Sequence, residues 1–247
     1  MLLRRYQEHL STQNWTAIFL DFFIVVAGLY LGLQLDGWNE ERKEATRERE
    51  YLEQLQADFT KNVEVLQWLG ENHEAMSKNL MHAIGVIKAG EIEPGEEEKF
   101  KWAILTMRQV PPMSLHMAGY RALVAAGDFS LLSDRELRSL LVSIESEIEF
   151  DQNAYWRNMG DSLGFTFDVM LDISRTVPHP SGRGVAFELD FAAIRDYPGT
   201  LAVLANARRT HSQITEARYQ LRDMFLEAGK RIDISLGSAQ MAGAVPP

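Results

Sequence analysis

The chain has 247 residues, of which 46% are apolar, 10% aromatic and 24% charged, the balance of a folded protein rather than a disordered one. Its net charge is −10, and because Arg4 and Arg5 offset Glu8 and Asp21, the whole acidic excess lies beyond residue 35. A surface of that sign argues against nucleic acid as a partner, since phosphates need basic groups, and the lack of any cysteine removes disulfides, thiol nucleophiles and cysteine metal sites.

After a short tail, 1–14, the stretch Trp15–Leu35 carries a single charge, Asp21. As a helix it spans roughly 30 Å, the thickness of a bilayer core. A cleaved signal peptide has a shorter apolar run and a small-residue cleavage site, whereas this run continues into Asp36-Gly37-Trp38-Asn39-Glu40. A buried helix of a soluble protein shows a polar face, and this stretch has none. The expectation is a transmembrane signal-anchor in a lipid bilayer, with Trp15, Tyr30 and Trp38 as interfacial aromatics. Arg42, Lys43, Arg47 and Arg49 follow the span, so a bare basic count leans towards a cytoplasmic C-terminal side. Long domains translocate largely regardless of charge, and the expected arrangement is N-terminus inside, domain outside.

Within the span, Gly28 and Gly32 form a G-x-x-x-G, which lets two helix backbones approach. Asp21 lies seven residues before Gly28 and so faces within ~20° of it. Two readings stand for Asp21. In one, copies of the chain bring Asp21, and with it Gln34, around a shared packing face or ion path. In the other, Asp21 lies near enough to the helix end to meet interfacial water.

Residues 36–51 read as a charged helical stalk without proline. An apolar stripe in steps of three and four follows: Leu52, Leu55, Phe59, Val63, Leu66, Leu69, His73, Met76, Leu80, Ile84 and Ile87. Gly90 and Pro94-Gly95 end it, with Gly37 and Gly70 as breaks that would interrupt an otherwise continuous helix. Residues 52–236 are expected to form an antiparallel helical bundle, giving an all-α protein. Its later helices are read at Glu96–Val110, at Ser114–Ala126, and from about Ser133 to Ile173, the last opened by a Ser133/Glu136 capping box. Residues 174–189, rich in Pro and Gly, read as a loop and a place for a protein partner. Asp190 caps a short helix to Arg195. The last helix starts after Pro198-Gly199, its stripe including Leu201, Leu204, Ile214, Leu221, Phe225 and Ile232, and 237–247 is expected as a flexible tail.

The anchor with its Asp21, Gly28 and Gln34, the string Trp38-Asn39-Glu40, the charged helix leading to Tyr51-Leu52, and the stretch from Tyr120 to Arg138 with Gly127-Asp128-Phe129-Ser130-Leu131-Leu132 resemble a family of bacterial single-pass membrane proteins catalogued only as a domain of unknown function. The resemblance implies a bacterial inner-membrane location and a helical domain. It implies no activity and transfers no functional residue.

Residue spacing excludes the familiar metal and nucleophile motifs. The residues three before each histidine are Tyr6, Gly70, Asn79, Met113, Thr176 and Arg208, so the Glu-x-x-His of a di-iron bundle is missing. His73-Glu74 is not followed by a histidine at the zinc-protease spacing, and no phosphate-binding or nucleophile-elbow motif occurs. No catalytic residue, metal or cofactor is expected. His73 on the first stripe, His211 near the last and Asp151 between Ile148 and Tyr155 are candidates for a buried polar network, a pH-sensitive latch or a ligand site, or else for satisfied core groups. Glu145, Glu147, Glu149 and Asp151 read as a solvated helix surface. The preferred expectation is a non-enzymatic, self-associating interaction or scaffold protein. A channel using Asp21 is the alternative, and a ligand-sensing helical domain ranks last.

Overall fold

The computed structural model describes residues 15–107, 109–153, 174–178 and 185–243, and the chain divides into two units, Met1–Glu50 and Tyr51–Pro247. The class is all-α. In chain order come α1, Trp15–Ala89; α2, Glu97–Thr106; α3, Ala118–Ala125; and a 3-10 turn, Asp128–Leu131. A helix over 135–153, here α4, follows. After it lie β1, Ser174–Pro178; β2, Val185–Leu189; α5, Phe191–Asp196; and α6, Thr200–Gly243. Neither Gly37 nor Gly70 breaks α1, and 237–243, expected in a frayed tail, belong to α6.

In the first unit the apolar side chains from Phe19 to Leu35 are exposed; Phe19 and Val25 each reach 70%. Among the described residues α1 is the one helix long and apolar enough to cross a membrane. Beyond Leu35 the surface turns polar. The Arg42 guanidinium lies 4.7 Å from the centre of the Trp38 ring, and Lys43 pairs with Glu40 at 3.2 Å.

In the second unit, α1 buries Leu52, Leu55, Phe59, Asn62, Leu66, Leu69, His73, Met76, Leu80, Ala83 and Ile87. These steps alternate three and four without a slip, the spacing that keeps one seam of a helix on its neighbours. Asn62 and Ala83 occupy the seam where apolarity alone favoured Val63 and Ile84, which are only partly buried beside it. Both choices satisfy a step of three or four from Phe59 and Leu66, so a partner decides. The Asn62 amide donates to the His116 carbonyl at 2.8 Å and accepts from the His116 N–H at 2.7 Å. This pairing holds the residues just before α3 outside a helix, so α3 starts at Ala118, later than the sequence suggests, while α2 stops at Thr106, short of Val110.

Helix α6 buries Leu204, His211, Arg218, Phe225 and Ile232, each seven residues from the last, with Leu221 and Ala228 between. Leu201, expected on this stripe, is 40% exposed. The two helices run antiparallel, since every step up α1 is matched by an equal step down α6. Gln56 meets Asp233, Gln67 meets Arg222, Gly70 meets Tyr219 and Ser77 meets Ser212. The Phe59 and Phe225 rings pack edge to face, centroids 4.9 Å apart. Helix α4 adds Leu137, Leu141 and Ile144, all buried.

The core falls into two apolar clusters. One joins α1 from Leu52 to Leu66 with α3, Leu132, α4 and the Leu221–Ile232 part of α6. The other joins α1 from Leu80 to Ile87 with α2, Ile194 and Leu204.

Caps fix the joints. Asp134, rather than Ser133, opens α4, accepting from the N–H groups of Glu136 and Leu137 at 2.8 and 3.1 Å. Glu136 turns instead to Arg231 of α6, which also reaches Asp134. A carboxylate attracts both the orphan amides and the guanidinium, and a hydroxyl attracts only the first. Asp190 caps α5 as expected, accepting from Ala193 N–H at 3.0 Å. Gly127 takes φ +74° between α3 and the 3-10 turn, a left-handed conformation that costs glycine least.

The segment read as a loop contains two antiparallel strands, with Ser174 opposite Leu189 and Pro178 opposite Val185. Val185, Phe187 and Leu189 alternate at the strand period over only five residues, too short a run to stand out beside the Pro- and Gly-rich 178–184. Leu189 and Phe191 pack on the second cluster.

Gly70 serves as a notch rather than a hinge. A Cβ there would lie 2.4 Å from Cε1 of Tyr219, so the ring must move aside for any side chain. Gly70→Ala is expected to destabilise the domain by about 1–3 kcal/mol, the usual cost of overpacking. Adding Tyr219→Ala should recover most of that loss in denaturant unfolding; a double variant no better than Gly70→Ala would show that the ring is not the obstacle.

Candidate functional site: a buried polar layer between two apolar clusters

Between the two clusters, on the seam of α1 and α6, lies a layer of polar side chains. His73 is 0% exposed, His211 1% and Arg218 2%. Each sits where the three-four spacing demands a core residue, so burial is imposed by the helix and each polar atom needs a partner.

The partners can be traced atom by atom. His211 Nε2 lies 3.1 Å from the Met107 carbonyl oxygen, which can only accept, so Nε2 carries the proton. In a neutral imidazole the other nitrogen, Nδ1, is then a bare acceptor. It lies 2.9 Å from His73 Nδ1, which therefore donates. His73 is left with Nε2 unprotonated, and this atom is buried without a hydrogen-bond partner. The rings lie 5.2 Å apart, tilted by 32°.

Electrostatics holds both imidazoles neutral. Burial, then the neighbouring His211 and Arg218, push the His73 pKa from 6.5 down to about 3. Burial also lowers His211, against the opposing effect of its bond to Met107.

Arg218 is seven residues beyond His211 on the same face and pairs with Asp151 of α4 at 2.6 Å. The carboxylate keeps 18% exposure of its side chain, so the pair is wetter at the Asp151 end. One turn towards the second cluster, Ser77 and Ser212 share a hydrogen bond of 2.8 Å.

The structure thus places His73 and His211 in direct contact and ties Asp151 to the same layer through Arg218. Asp151 is not part of a solvated acidic surface, and Glu145 accepts from the Tyr120 hydroxyl. Sequence reasoning missed Arg218, the serine pair and the Met107 carbonyl. Arg218 had a signal: it falls seven after His211 and seven before Phe225, interrupting an apolar register. The Met107 carbonyl had none, because its role depends on where α2 ends.

The span candidates are separate from this layer. Asp21, Gly28, Gly32 and Gln34 are exposed on the first unit's part of α1. No atom lies within 4 Å of a Cβ built at either glycine. Gln34 donates to the Tyr30 hydroxyl at 3.2 Å, one turn back. Among the described residues no group of three or more His, Cys, Asp or Glu is disposed to hold a metal ion.

Neither a scan of protein-family models nor searches of curated proteins and solved structures find a match to this chain.

Asp151→Ala would leave the Arg218 guanidinium buried without its anion. The expected loss is about 3 kcal/mol in denaturant unfolding, the low end for breaking a buried pair because Asp151 retains some water. Combining it with Arg218→Met should cost less than Asp151→Ala alone, since no charge then remains unpaired.

Proposed function

We propose that the chain is a membrane-anchored protein whose helical domain acts by binding rather than by catalysis, and that copies associate through the apolar part of α1. The observation that carries this reading is the exposed run from Phe19 to Leu35. Burying one such side chain is worth about 1.5–3 kcal/mol, so a dozen left in water would be a heavy penalty, and a contiguous patch of this size marks an interaction surface. A bilayer removes the whole circumference of one helix from water, which a protein groove on one side would not.

The open space beside Gly28 and Gly32 supports close approach of a second helix along that face. The resemblance to bacterial single-pass proteins supports an inner-membrane location; the N-terminus is placed in the cytoplasm and the domain in the periplasm because long domains translocate largely regardless of charge. Binding is favoured over catalysis because buried polar side chains of the domain serve contacts between its segments: Asn62 with His116, His73 with His211, Arg218 with Asp151.

The chain has no cysteine of its own, so one introduced reporter is unambiguous. Leu35→Cys lies seven residues after Gly28, within ~20° of the same face. Oxidation in membranes should give a disulfide dimer, reduced at least tenfold when Gly28→Leu and Gly32→Leu are added. Unchanged dimer yield would remove the packing face.

The exposed Asp21 carboxylate within the apolar run favours a second reading, an oligomeric ion path. Liposomes containing the protein should then conduct, and Asp21→Asn should abolish the conductance. A wild-type protein that is silent sinks this alternative.

A further inference from the structure

We propose that the His73–His211 pair is an acid-operated latch: protonation separates α1 from α6 at the polar layer while the Leu52–Leu66 cluster stays closed. This inference concerns the helical domain and is independent of the membrane reading.

The geometry offers an added proton no good place. The His211 Nε2 proton is committed to the Met107 carbonyl, and the His73 Nδ1 proton to His211 Nδ1. A proton on His211 Nδ1 would set two N–H groups against each other across 2.9 Å. The only free ring nitrogen is His73 Nε2, which is buried with no acceptor before it. A charge there would be opposed by the positive Arg218 guanidinium of α6. Among the described residues the anion of the layer is Asp151 of α4, and it is engaged by Arg218 at 2.6 Å. From the end of α2 the facing group is the Met107 carbonyl, already taken. On α1 the adjacent Glu74 is paired to Lys78 at 2.6 Å and accepts from Tyr219, on the outer side of the seam. Among the described residues these groups leave the charged pair uncompensated.

Opening cures this at once, because water solvates both imidazolium ions. Above pH 6.5 the histidines are neutral in closed and open forms, and closure is indifferent to pH. Below it the open form takes up protons that the closed form refuses, so closure weakens as pH falls from 6.5 towards about 3, where His73 would protonate even when closed. The closed-to-open ratio falls about tenfold per pH unit for each proton taken up. The layer lies at a boundary between two clusters, which allows it to part without dissolving either.

The test uses the full chain in lipid nanodiscs and amide exchange expressed as protection factors, which removes the intrinsic pH dependence of exchange. Between pH 7.5 and pH 5, protection across 69–77 and 208–218 should fall at least tenfold, while 52–59 and 225–232 keep theirs. His73→Asn with His211→Gln keeps a donor at each ring's bonding position and should abolish the pH response. If that variant does not fold at pH 7.5, side-chain nitrogen spectra of the wild-type histidines decide. Both should stay neutral until protection is lost. The proposal is overturned if either histidine titrates near 6.5 with protection intact. It is equally overturned if all four segments lose protection together, or if the double variant keeps the wild-type pH response.

Discussion

The antiparallel contact between α1 and α6 is the constraint from which the second unit follows. A strict three-four spacing leaves no choice about which residues are interior, and the seam includes Asn62 and His73 on one helix and His211 and Arg218 on the other. An unsatisfied buried polar group costs about 1–3 kcal/mol, so His73 and His211, which bond to each other across this contact, are satisfied in only one alignment. Sliding the helices by one heptad would face His73 with Leu204 or Arg218 and strand His211. Leucine tolerates such a slip, and histidine does not. Buried polar side chains here set the register, and the apolar clusters on either side supply the energy of closure.

The smaller elements are hung on the same two helices by single directional contacts. The Asn62 amide grips the His116 peptide on both sides. The Asp58 carboxylate of α1 accepts from Gly119 N–H at 2.8 Å, in the first turn of α3. Gly119 itself lies so close to α1 that a Cβ would meet the Leu55 nitrogen at 3.2 Å. Arg231 of α6 reaches both Asp134, which opens α4, and Glu136 in its first turn. The helix starts are thus completed from another helix, which couples local capping to tertiary packing.

The histidine pair differs from these contacts in one respect. The Asn62 amide does not titrate, whereas an imidazole changes its number of donors on taking up a proton. The bond from His73 exists only while His211 Nδ1 is bare, and a second charge on the pair has no buried anion to meet it. Placing that bond at a seam, with an arginine behind it, turns a register device into one that depends on proton concentration.

Much of this protein was legible in its sequence. The apolar run, the three-four stripe, the stop at Gly90 and the Asp190 cap are local signals, acting within a turn or two of helix. His73, His211 and Asp151 could be selected because polar residues on an apolar stripe are conspicuous. Tertiary structure decided the rest: that Asn62 and not Val63 faces inward, that Asp134 rather than Ser133 caps α4, that the segment after 173 forms strands, and that Gly70 receives a ring. In each case the deciding partner is remote in the chain; His73 and His211 are separated by 138 residues. The sequence by itself determined which stretches form helices and roughly which stripe of each leaves water, because that depends on composition and period. Which atom each buried polar group would meet was settled only when two distant helices had fixed their register.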